Sequence, residues 1–378
     1  MKPIDMNTQK LSLREIVGYS ASGFGQNIIC GLIGAYILIF YTDVFGISAY
    51  AAAVIMFAAR IFDALNDPIM GSIVDKTRTR WGKLRPYLLF TPLPIGILTI
   101  LCFSSPDLSE SGKVAYAAVF YVLWGVVFTI IDVPYWGLSS AMTYDTNERS
   151  KLLTVARLAC SAGGGLLTLV VPQITAAVTN KVQQGFTAAE LETPAYNAAL
   201  QAALQPTYFW IAVVSAIVGA PLFLMAFFHT RERVVQTENP PTLKHNLSLL
   251  LKNKPLLLIV FSCVLGSLQA VYGSMFLYLS KYTLSEYTGA TDSWATIMSI
   301  LAAPMGLVGS LIIPILGRKF TKKSIYIWSK LFGGVLLLVM YFIGYDTKTK
   351  VFVLAAGLLL LGLPSGCLLY TSPSPRDS

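Results

Sequence analysis

The sequence predicts an all-α membrane protein with about ten transmembrane helices. Of its 378 residues, 55% are hydrophobic and only 12% are charged, whereas soluble domains carry about 25% charged residues. Apolar runs recur along the whole chain, and with their flanks they reach the roughly 20 residues that cross about 30 Å of hydrocarbon as a helix. A chain of this apolarity has no water-facing shell around a soluble core.

Ten segments meet this criterion. They lie at 16–42, 50–74, 87–105, 114–140, 152–178, 207–228, 255–280, 295–316, 324–345 and 351–370. The longest polar connection, 230–254, contains Pro240 and Pro241, which is typical of a linker. We therefore predict a six-helix bundle over 1–229, a linker over 230–254, and an incomplete second bundle of about four helices over 255–366.

A weak internal repeat supports the two bundles. Segment 71–75 and the basic turn after it resemble segment 309–316 and the basic turn 317–323. The two segments lie six predicted helices apart, as two parallel six-helix repeats require, so the second repeat would lack its last two helices. The Pro/Ser-rich run 367–378 resembles translated read-through at the end of an assembled fragment, with a natural short tail as the alternative. We expect this run to be non-native and the chain to be truncated in its tenth helix.

Basic residues are distributed unequally between the predicted loops. Of the 28 lysines and arginines, 19 lie in the amino-terminal segment and the even-numbered loops, and five lie in the odd-numbered loops. Cytoplasmic loops of membrane proteins carry the excess of Lys and Arg. We therefore expect a multi-pass protein of the cell (inner) membrane with a cytoplasmic amino terminus. The net charge of +9 then reflects topology and not a nucleic-acid partner, and we expect a monomer surrounded by the lipid bilayer.

The second predicted helix contains three ionisable residues. Arg60, Asp63 and Asp67 follow the spacing i, i+3, i+7, which places them on one helical face with Asn66 at its edge. Each such residue costs about 2.5 to 3.5 kcal/mol on insertion scales and therefore indicates function. Two carboxylates one turn apart need a proton or a cation in low dielectric, so the pair suits Na⁺ or H⁺. The alternative is a structural ion pair in which Arg60 neutralises one aspartate.

The fourth predicted helix carries Thr129, Asp132 and Trp136 on one stripe. A hydroxyl, a carboxylate and an indole together suit a sugar, whose hydroxyl groups donate to the carboxylate and whose C–H face stacks on the ring. Arg157, in the fifth helix, could pair with Asp132 or bind substrate oxygens directly. The alternative places Trp136 in the interfacial aromatic belt and makes Asp132 a structural partner of Arg157.

The turn after the second helix concentrates charge. Its charged residues include Asp75, Arg78, Arg80, Lys83 and Arg85. One interpretation is a charge latch between the two bundles that must break when the bundles move. The other is a signal for membrane topology, and the two interpretations are compatible.

Four motifs together resemble one family. They are YTDV at 41–44, ARIFDALNDPIMG at 59–71, RWGKLRP at 80–86 and IDVPYW at 131–136. With these motifs the chain resembles the glycoside-pentoside-hexuronide:cation symporters, the melibiose permease branch of the major facilitator superfamily. The resemblance implies the major facilitator fold of two six-helix bundles, shortened here to about ten helices. It also implies symport of a sugar with Na⁺ or H⁺ by alternating access.

The resemblance further implies roles for single residues. The cation site would comprise Asp63, Asn66, Asp67 and Thr129. The sugar site would include Asp132, Trp136 and Arg157. Apart from this coupling-ion site, no metal and no cofactor are expected.

Gln26 and Asn27 depart from the family pattern. Melibiose permeases have a Lys-Asp pair at this place on the first helix, whereas this chain has two amides. An amide donates and accepts hydrogen bonds but brings no charge. The resemblance therefore keeps Gln26 and Asn27 in the sugar site and points away from melibiose, towards another glycoside, a pentoside or an acidic sugar.

Two other functions are compatible with parts of the sequence. A transporter of lysolipid or another amphiphile would keep the same fold, but Asp132 beside Trp136 fits a sugar better. An intramembrane prenyltransferase would use Asp63 and Asp67 to hold Mg²⁺ and a diphosphate, but it would need a second aspartate-rich motif that the sequence lacks. The sequence therefore predicts a transporter and not an enzyme.

Overall fold

The structure is a computed structural model. It describes residues 10–187, 190–191, 193–234 and 319–344, together with isolated residues between 252 and 361. Within these ranges the backbone forms helices, turns and loops, with an isolated β-bridge between Thr79 and Gly82. The first compact unit comprises Met1–Leu167 and Ala177–Leu243, and the second comprises Thr168–Ala176 and Lys244–Ser378.

The described residues contain eight α-helices and one π-helical turn. In chain order they are α1 (Leu13–Ile39), the π-helical turn (Phe40–Val44), α2 (Ala49–Lys76), α3 (Arg85–Phe90), α4 (Pro92–Cys102), α5 (Glu110–Met142), α6 (Thr146–Gln183), α7 (Pro194–His229) and α8 (Lys322–Ile343). Capping residues set several of the starts. Ser12 and Glu15 form a reciprocal capping box at α1, and Asp145 caps α6.

Six of the described helices are long and apolar enough to cross a membrane: α1 with the π-helical turn, α2, α5, α6, α7 and α8. Each overlaps one of the predicted spans. The predicted span 87–105 is instead divided into α3 and α4, which meet at Thr91 because Pro92 has no N–H to continue the helical ladder. The predicted spans 255–280, 295–316 and 351–370, and the run 367–378, lie largely or wholly outside the described residues.

α7 begins at Pro194, whereas the sequence predicted a start at 207. Its first three turns contain asparagine and glutamine, so apolarity alone assigned them to a loop. The local start signal is nevertheless present, because Thr193 accepts a hydrogen bond from the backbone N–H of Tyr196 and Pro194 occupies the first turn.

α2 packs against α5 through one stripe of its surface. The buried residues of α2 recur at spacings of three and four on either side of the middle: Ala52, Ile55, Ala59, Met70 and Val74. Asp63 and Asp67 continue the same stripe between these two groups. The packing of α2 therefore turns both carboxylates towards α5.

α1 and α7 approach each other closely at two glycines. A Cβ atom added to Gly25 would lie 2.6 Å from the carbonyl oxygen of Gly219, and one added to Gly219 would lie 2.9 Å from that of Gly25. Ser22 donates a hydrogen bond of 2.9 Å to the carbonyl of Phe223 beside this contact. Small residues allow such close helix packing in membranes. This contact holds α1 in place, and Gln26 of α1 reaches α5.

Candidate functional site

Asp132 of α5 receives two hydrogen bonds from side chains that the sequence also assigned to the sugar site. The amide nitrogen of Gln26 donates to Asp132 Oδ1, and so does the indole N–H of Trp136, at 3.0 Å. Gln26 belongs to α1, whereas Trp136 lies one turn further along α5. Hydrogen bonds to a carboxylate are stronger than neutral ones and fix its orientation. The carboxylate is therefore held in one position before any substrate binds.

Arg157 of α6 completes this group. Its guanidinium carbon lies 5.9 Å from the centroid of the Trp136 ring, at the outer limit of a cation–π contact. The ion pairs found among the described residues do not include Asp132 with Arg157. The alternative in which these two residues pair structurally is therefore not the arrangement seen here.

One atom of Gln26 is left with an unused hydrogen-bonding capacity. The side chain is only 3% exposed, and its amide oxygen is buried without a partner in the described part of the chain. A buried acceptor without a donor is costly. Together with the carboxylate of Asp132, this oxygen offers two acceptors beside an aromatic ring, which is the pattern that suits the hydroxyl groups and C–H face of a sugar.

Asn27 is placed differently from its neighbour. Its amide nitrogen donates 3.1 Å to the carbonyl of Gly23, one turn earlier on its own helix. Its Cβ faces α6, where an added Cβ on Gly163 would lie 3.4 Å away. The two amides predicted as one pair are therefore divided, because only Gln26 contacts Asp132.

The carboxylates of α2 meet α5 at two small residues, Gly125 and Thr129. Thr129 donates a hydrogen bond of 3.0 Å to Asp67 Oδ1. One turn earlier on α5, a Cβ added to Gly125 would lie 2.7 Å from Asp63 Oδ1. The absence of a side chain at Gly125 thus gives the Asp63 carboxylate its room. Among the described contacts Thr129 is paired with Asp67 and not with Asp132, so it lies beside the predicted cation site, and its role there stays a prediction.

Arg60 and Asn66 are the remaining members of the group on α2. Arg60 lies 3.7 Å from Asp63 Oδ2 with 70% of its side chain exposed, against 28% for Asp63. Exposed pairs of this kind contribute little, about 0 to 1 kcal/mol. The amide nitrogen of Asn66 is buried and has no hydrogen-bond partner among the described residues. Rotating the Asn66 amide by 180° would therefore break no hydrogen bond of that nitrogen among the described residues. The amide oxygen would then take the place of the nitrogen.

The charged residues of the turn after α2 are all engaged nearby. Lys83 pairs with Asp75, and Arg78 donates to the backbone carbonyls of Asp75 and Thr77 at 2.8 and 2.9 Å. Arg80 lies 4.3 Å above the ring of Trp81. These contacts hold the turn in shape within the first unit, and a role as a latch between bundles stays a prediction.

Arg85 contacts the end of α7. It donates 2.6 Å to the carbonyl of Phe227 and lies 4.8 Å from the centroid of that ring. Burial lowers the pKa of the Arg85 guanidinium, and the neighbouring Glu232 carboxylate acts in the opposite direction.

Glu232 is a structural residue that the sequence did not reveal. Its carboxylate accepts three backbone hydrogen bonds at the start of α3, from the N–H groups of Lys83, Leu84 and Arg85 at 3.0, 2.8 and 3.1 Å. Gly82, at φ +111°, leaves space that a side chain would take from this carboxylate. A carboxylate at a helix amino terminus both caps the helix and complements its dipole.

Arg233 fastens the same segment to two other helices. Its guanidinium forms an ion pair of 2.7 Å with Glu15 at the start of α1, and its backbone N–H donates 2.8 Å to the carbonyl of Ala141 near the end of α5. The first residues of the predicted linker thus belong to the first compact unit. Their side chains contact partners more than 90 residues away, and sequence spacing carries no signal for such contacts.

Gly125 was also missed, although a signal for it exists. It lies four residues before Thr129, on the stripe that continues through Asp132 and Trp136. We call Gly125, Thr129, Asp132 and Trp136 the α5 stripe. Its first half faces the carboxylates of α2, and its second half contacts Gln26.

Comparison with known proteins identifies the family to which this arrangement belongs. Residues 18–372 match the sequence profile described as "MFS/sugar transport protein". The chain belongs to this family. It is therefore a membrane transporter and not an enzyme, and the predicted resemblance to glycoside-pentoside-hexuronide:cation symporters is confirmed.

Relatives of this sugar-transport family member cover most of its length. It is 33% identical over 347 residues to "Uncharacterized symporter YnaJ" of Bacillus subtilis (strain 168), covering 89% of the chain and 68% of the relative. It is 31% identical over 343 residues to "Glucuronide carrier protein homolog" of Escherichia coli (strain K12), again covering 89% and 68%.

A solved structure supports the fold of the transporter. The crystal structure of a single-residue variant of nucleoside transporter NupG matches it with a TM-score of 0.56 at 16% identity, covering 93% of this chain and 80% of that one. At this identity the match concerns the fold alone. The predicted all-α major facilitator fold is confirmed.

Proposed function

We propose that the chain moves a sugar together with one monovalent cation, with the sugar at Asp132 and the cation at Asp63 and Asp67. The observation that carries this proposal is the α5 stripe. Thr129 bonds Asp67, and three residues later Asp132 bonds Gln26 and Trp136. A single helix therefore contacts both candidate sites.

The sugar side offers chemistry that matches a glycoside. Asp132 and the amide oxygen of Gln26, which has no partner among the described residues, are acceptors for hydroxyl groups, and Trp136 provides an aromatic face. The guanidinium of Arg157 near that ring can donate to ring or hydroxyl oxygens, and it can also receive the carboxylate of a hexuronide. Neutral glycosides, pentosides and hexuronides are thus the substrate classes to compare, and one relative carries the name of a glucuronide carrier protein homolog.

The cation side is rich in oxygen and poor in neutralising charge. Asp63 and Asp67 bring two negative charges, and Arg60, 3.7 Å from Asp63 Oδ2, offers one exposed positive charge. Carboxylate and hydroxyl oxygens from Asp63, Asp67 and Thr129 are ligands of the type that Na⁺ accepts, and either carboxylate can take a proton instead. Asn66 contributes its amide oxygen once the amide is turned.

Coupling between cation and sugar follows from the electrostatic cost of burying the two carboxylates of α2. A pair of carboxylates without a cation resists transfer into a closed, water-poor site, since burying unpaired charge is expensive. Binding of the cation removes this cost, so the site can close around a sugar that is bound at the already oriented Asp132. The proposal therefore predicts that the cation raises sugar affinity and that the sugar raises cation affinity by the same factor.

Orientation and assembly form part of the same proposal. The excess of basic residues in the amino-terminal segment and even-numbered loops supports a cytoplasmic amino terminus, and we propose a monomer as the functional unit. A reporter inserted at Ser109 should be accessible from outside, and one inserted at Thr77 should be accessible from the cytoplasm. The reverse pattern would contradict the proposed orientation.

Uptake by membrane vesicles tests the function directly. Vesicles containing the protein are given labelled neutral glucoside, xyloside and glucuronide, each with an inward Na⁺ gradient, an inward H⁺ gradient or no gradient. We expect accumulation of at least one sugar with one of the two gradients. Asp67→Asn should abolish the response to the gradient while equilibrium sugar binding persists, whereas Asp107→Asn, on an exposed loop, should behave as wild type. Failure of every sugar under both gradients would overturn the proposed function.

A further inference from the structure

Two tyrosines far apart in the sequence exchange hydrogen bonds between α1 and α5. The hydroxyl of Tyr19 donates 2.9 Å to the carbonyl of Tyr135, and the hydroxyl of Tyr135 donates 3.1 Å to the carbonyl of Tyr19. Their rings are stacked with centroids 4.5 Å apart and planes 8° from parallel. Both side chains are 0% exposed. We call this arrangement the tyrosine clasp.

The clasp fixes two degrees of freedom at once. One hydrogen bond between two helices sets a distance but leaves rotation open. Two reciprocal bonds at opposite ends of a stacked ring pair also fix the rotation of each helix, because either helix would have to break a bond to turn. Between helices in a membrane, where apolar burial against lipid gives little, packing and hydrogen bonds decide the arrangement.

The clasp lies directly beside the sugar side of the α5 stripe. Asp132 precedes Tyr135 by three residues on α5, and Gln26 follows Tyr19 by seven residues on α1. Both spacings keep the two members of each pair on one helical face. The interface joined by the clasp is therefore the interface across which Gln26 bonds Asp132.

The α1 backbone is shaped to receive the clasp. Gly23 lies between Tyr19 and Gln26, and a Cβ added there would overlap the hydroxyl of Tyr135 and would lie 2.8 Å from Cys160 Sγ of α6. A side chain at Gly23 would thus displace the ring that bonds Tyr19. Three helices converge at this glycine, next to the residues assigned to the sugar.

We propose that Tyr19 and Tyr135 are positioning residues for sugar binding, because they set the register in which Gln26 holds the Asp132 carboxylate. This inference rests on the proposed sugar site. The cation side does not depend on α1, since Asp63 and Asp67 meet α5 at Gly125 and Thr129. Loss of the clasp should therefore weaken sugar binding without weakening cation binding.

The test uses conservative variants that keep the rings and remove the hydroxyl groups. Binding of four probes, the 4-nitrophenyl α-galactoside, β-glucoside, β-xyloside and β-glucuronide, is first measured on wild type in Na⁺-containing detergent solution, and the tightest probe is kept. Tyr19→Phe and Tyr135→Phe should each weaken that probe about fivefold, as expected for one lost hydrogen bond. Half-saturating Na⁺ or H⁺, read from cation-dependent thermal stabilisation, should change less than twofold.

Tyr41 provides a matched control. It is also buried, and its hydroxyl donates 3.4 Å to the carbonyl of Ala117, so it too joins the chain at the end of α1 to α5, but at a place far along α5 from Asp132. Tyr41→Phe should leave probe affinity unchanged even where it lowers the melting temperature as much as the other two variants do.

The other outcomes would contradict either the proposed function or the positioning role of the clasp. Absence of binding by all four probes on wild type counts against the proposed function. Wild-type affinity in both Tyr19→Phe and Tyr135→Phe overturns the positioning role while the sugar site stands. Equal weakening of sugar and cation, or the same weakening in Tyr41→Phe, would show that the clasp serves general stability alone.

Discussion

The two halves of the α5 stripe differ in how their acidic partners are held. Asp132 accepts hydrogen bonds from Gln26 and Trp136 and is fixed on the protein's own donors. Asp63 and Asp67 together receive one described hydrogen bond, from Thr129, and one long ion pair with the exposed Arg60. The proposed sugar half is thus preformed, whereas the two carboxylates of α2 have one exposed positive partner, Arg60, among the described residues. A preformed site loses affinity for its ligand when one of its binding groups is removed. A site of paired carboxylates with little positive charge nearby instead gains stability from the cation that it binds.

Removal of the charge on Asp132 should give the largest effect. In Asp132→Asn the amide oxygen can still accept from Gln26 and Trp136, so the shape is kept and only the charge is lost. We expect sugar affinity to fall about 30-fold, corresponding to the ~2 kcal/mol of a hydrogen bond to a charged group. Cation binding should stay within threefold. Equal losses of both affinities in titrations of the purified protein would remove the distinction between the two halves.

Filling the space at Gly125 should act on the other half. In Gly125→Ala the new methyl group would lie 2.7 Å from Asp63 Oδ1 and must displace it. We expect cation affinity to fall about tenfold, in line with the 1 to 3 kcal/mol typical of overpacking, with sugar affinity measured at saturating cation unchanged. Gly34→Ala is the control, because a Cβ at Gly34 meets nothing within 4 Å. A loss of sugar affinity alone would contradict the assignment.

Thr129→Val should produce a smaller change in the same direction. The substitution keeps the shape and removes the donor to Asp67, so we expect cation affinity to fall about fivefold. Thr207→Val removes a hydroxyl whose described hydrogen bond stays within its own helix, to Ala203, and should not alter cation affinity. An unchanged cation titration in Thr129→Val would place the ion elsewhere than at Asp67.

Asn27→Asp tests the edge of the sugar half and should have the smallest effect. The aspartate cannot donate to Gly23 and adds a negative charge close to the sugar side. We expect the ratio of glucuronide to glucoside affinity to fall about threefold, because like charges repel. Competition between the two sugars on one preparation measures this ratio. An unchanged ratio would mean that position 27 does not face the sugar.

The residues that share one face of α2 or of α5 could be predicted from the sequence, because helical spacing depends on neighbouring residues alone. Spacing placed Asp63 with Asp67 on one face of α2, and Thr129 with Asp132 and Trp136 on one face of α5, although Thr129 bonds Asp67 and not the two residues that share its face. The partner across each interface could not be predicted in this way. Thr129 meets Asp67 and Gln26 meets Asp132 through contacts 62 and 106 residues apart, and such contacts depend on how whole helices pack.

The ends of two helices were also not predicted from the sequence. Apolarity located the membrane-crossing part of α7 but not its first three turns, which carry Asn197, Gln201 and Gln205 among alanines and are helical as well. The break between α3 and α4 follows from Pro92, a local signal that lies inside a long apolar run and is not visible in its apolarity.

The cap provided by Glu232 has a consequence for biosynthesis. The backbone N–H of Leu84 finds its partner 148 residues later in the chain. At 5 to 20 residues per second, a ribosome needs roughly 7 to 30 seconds to synthesise that interval. During this time the start of α3 has only water or the insertion machinery to satisfy its donors. The end of the first compact unit that carries the start of α3 thus closes only after α7 has been made, and a separately expressed first unit should extend past Val234 if it is to close at all.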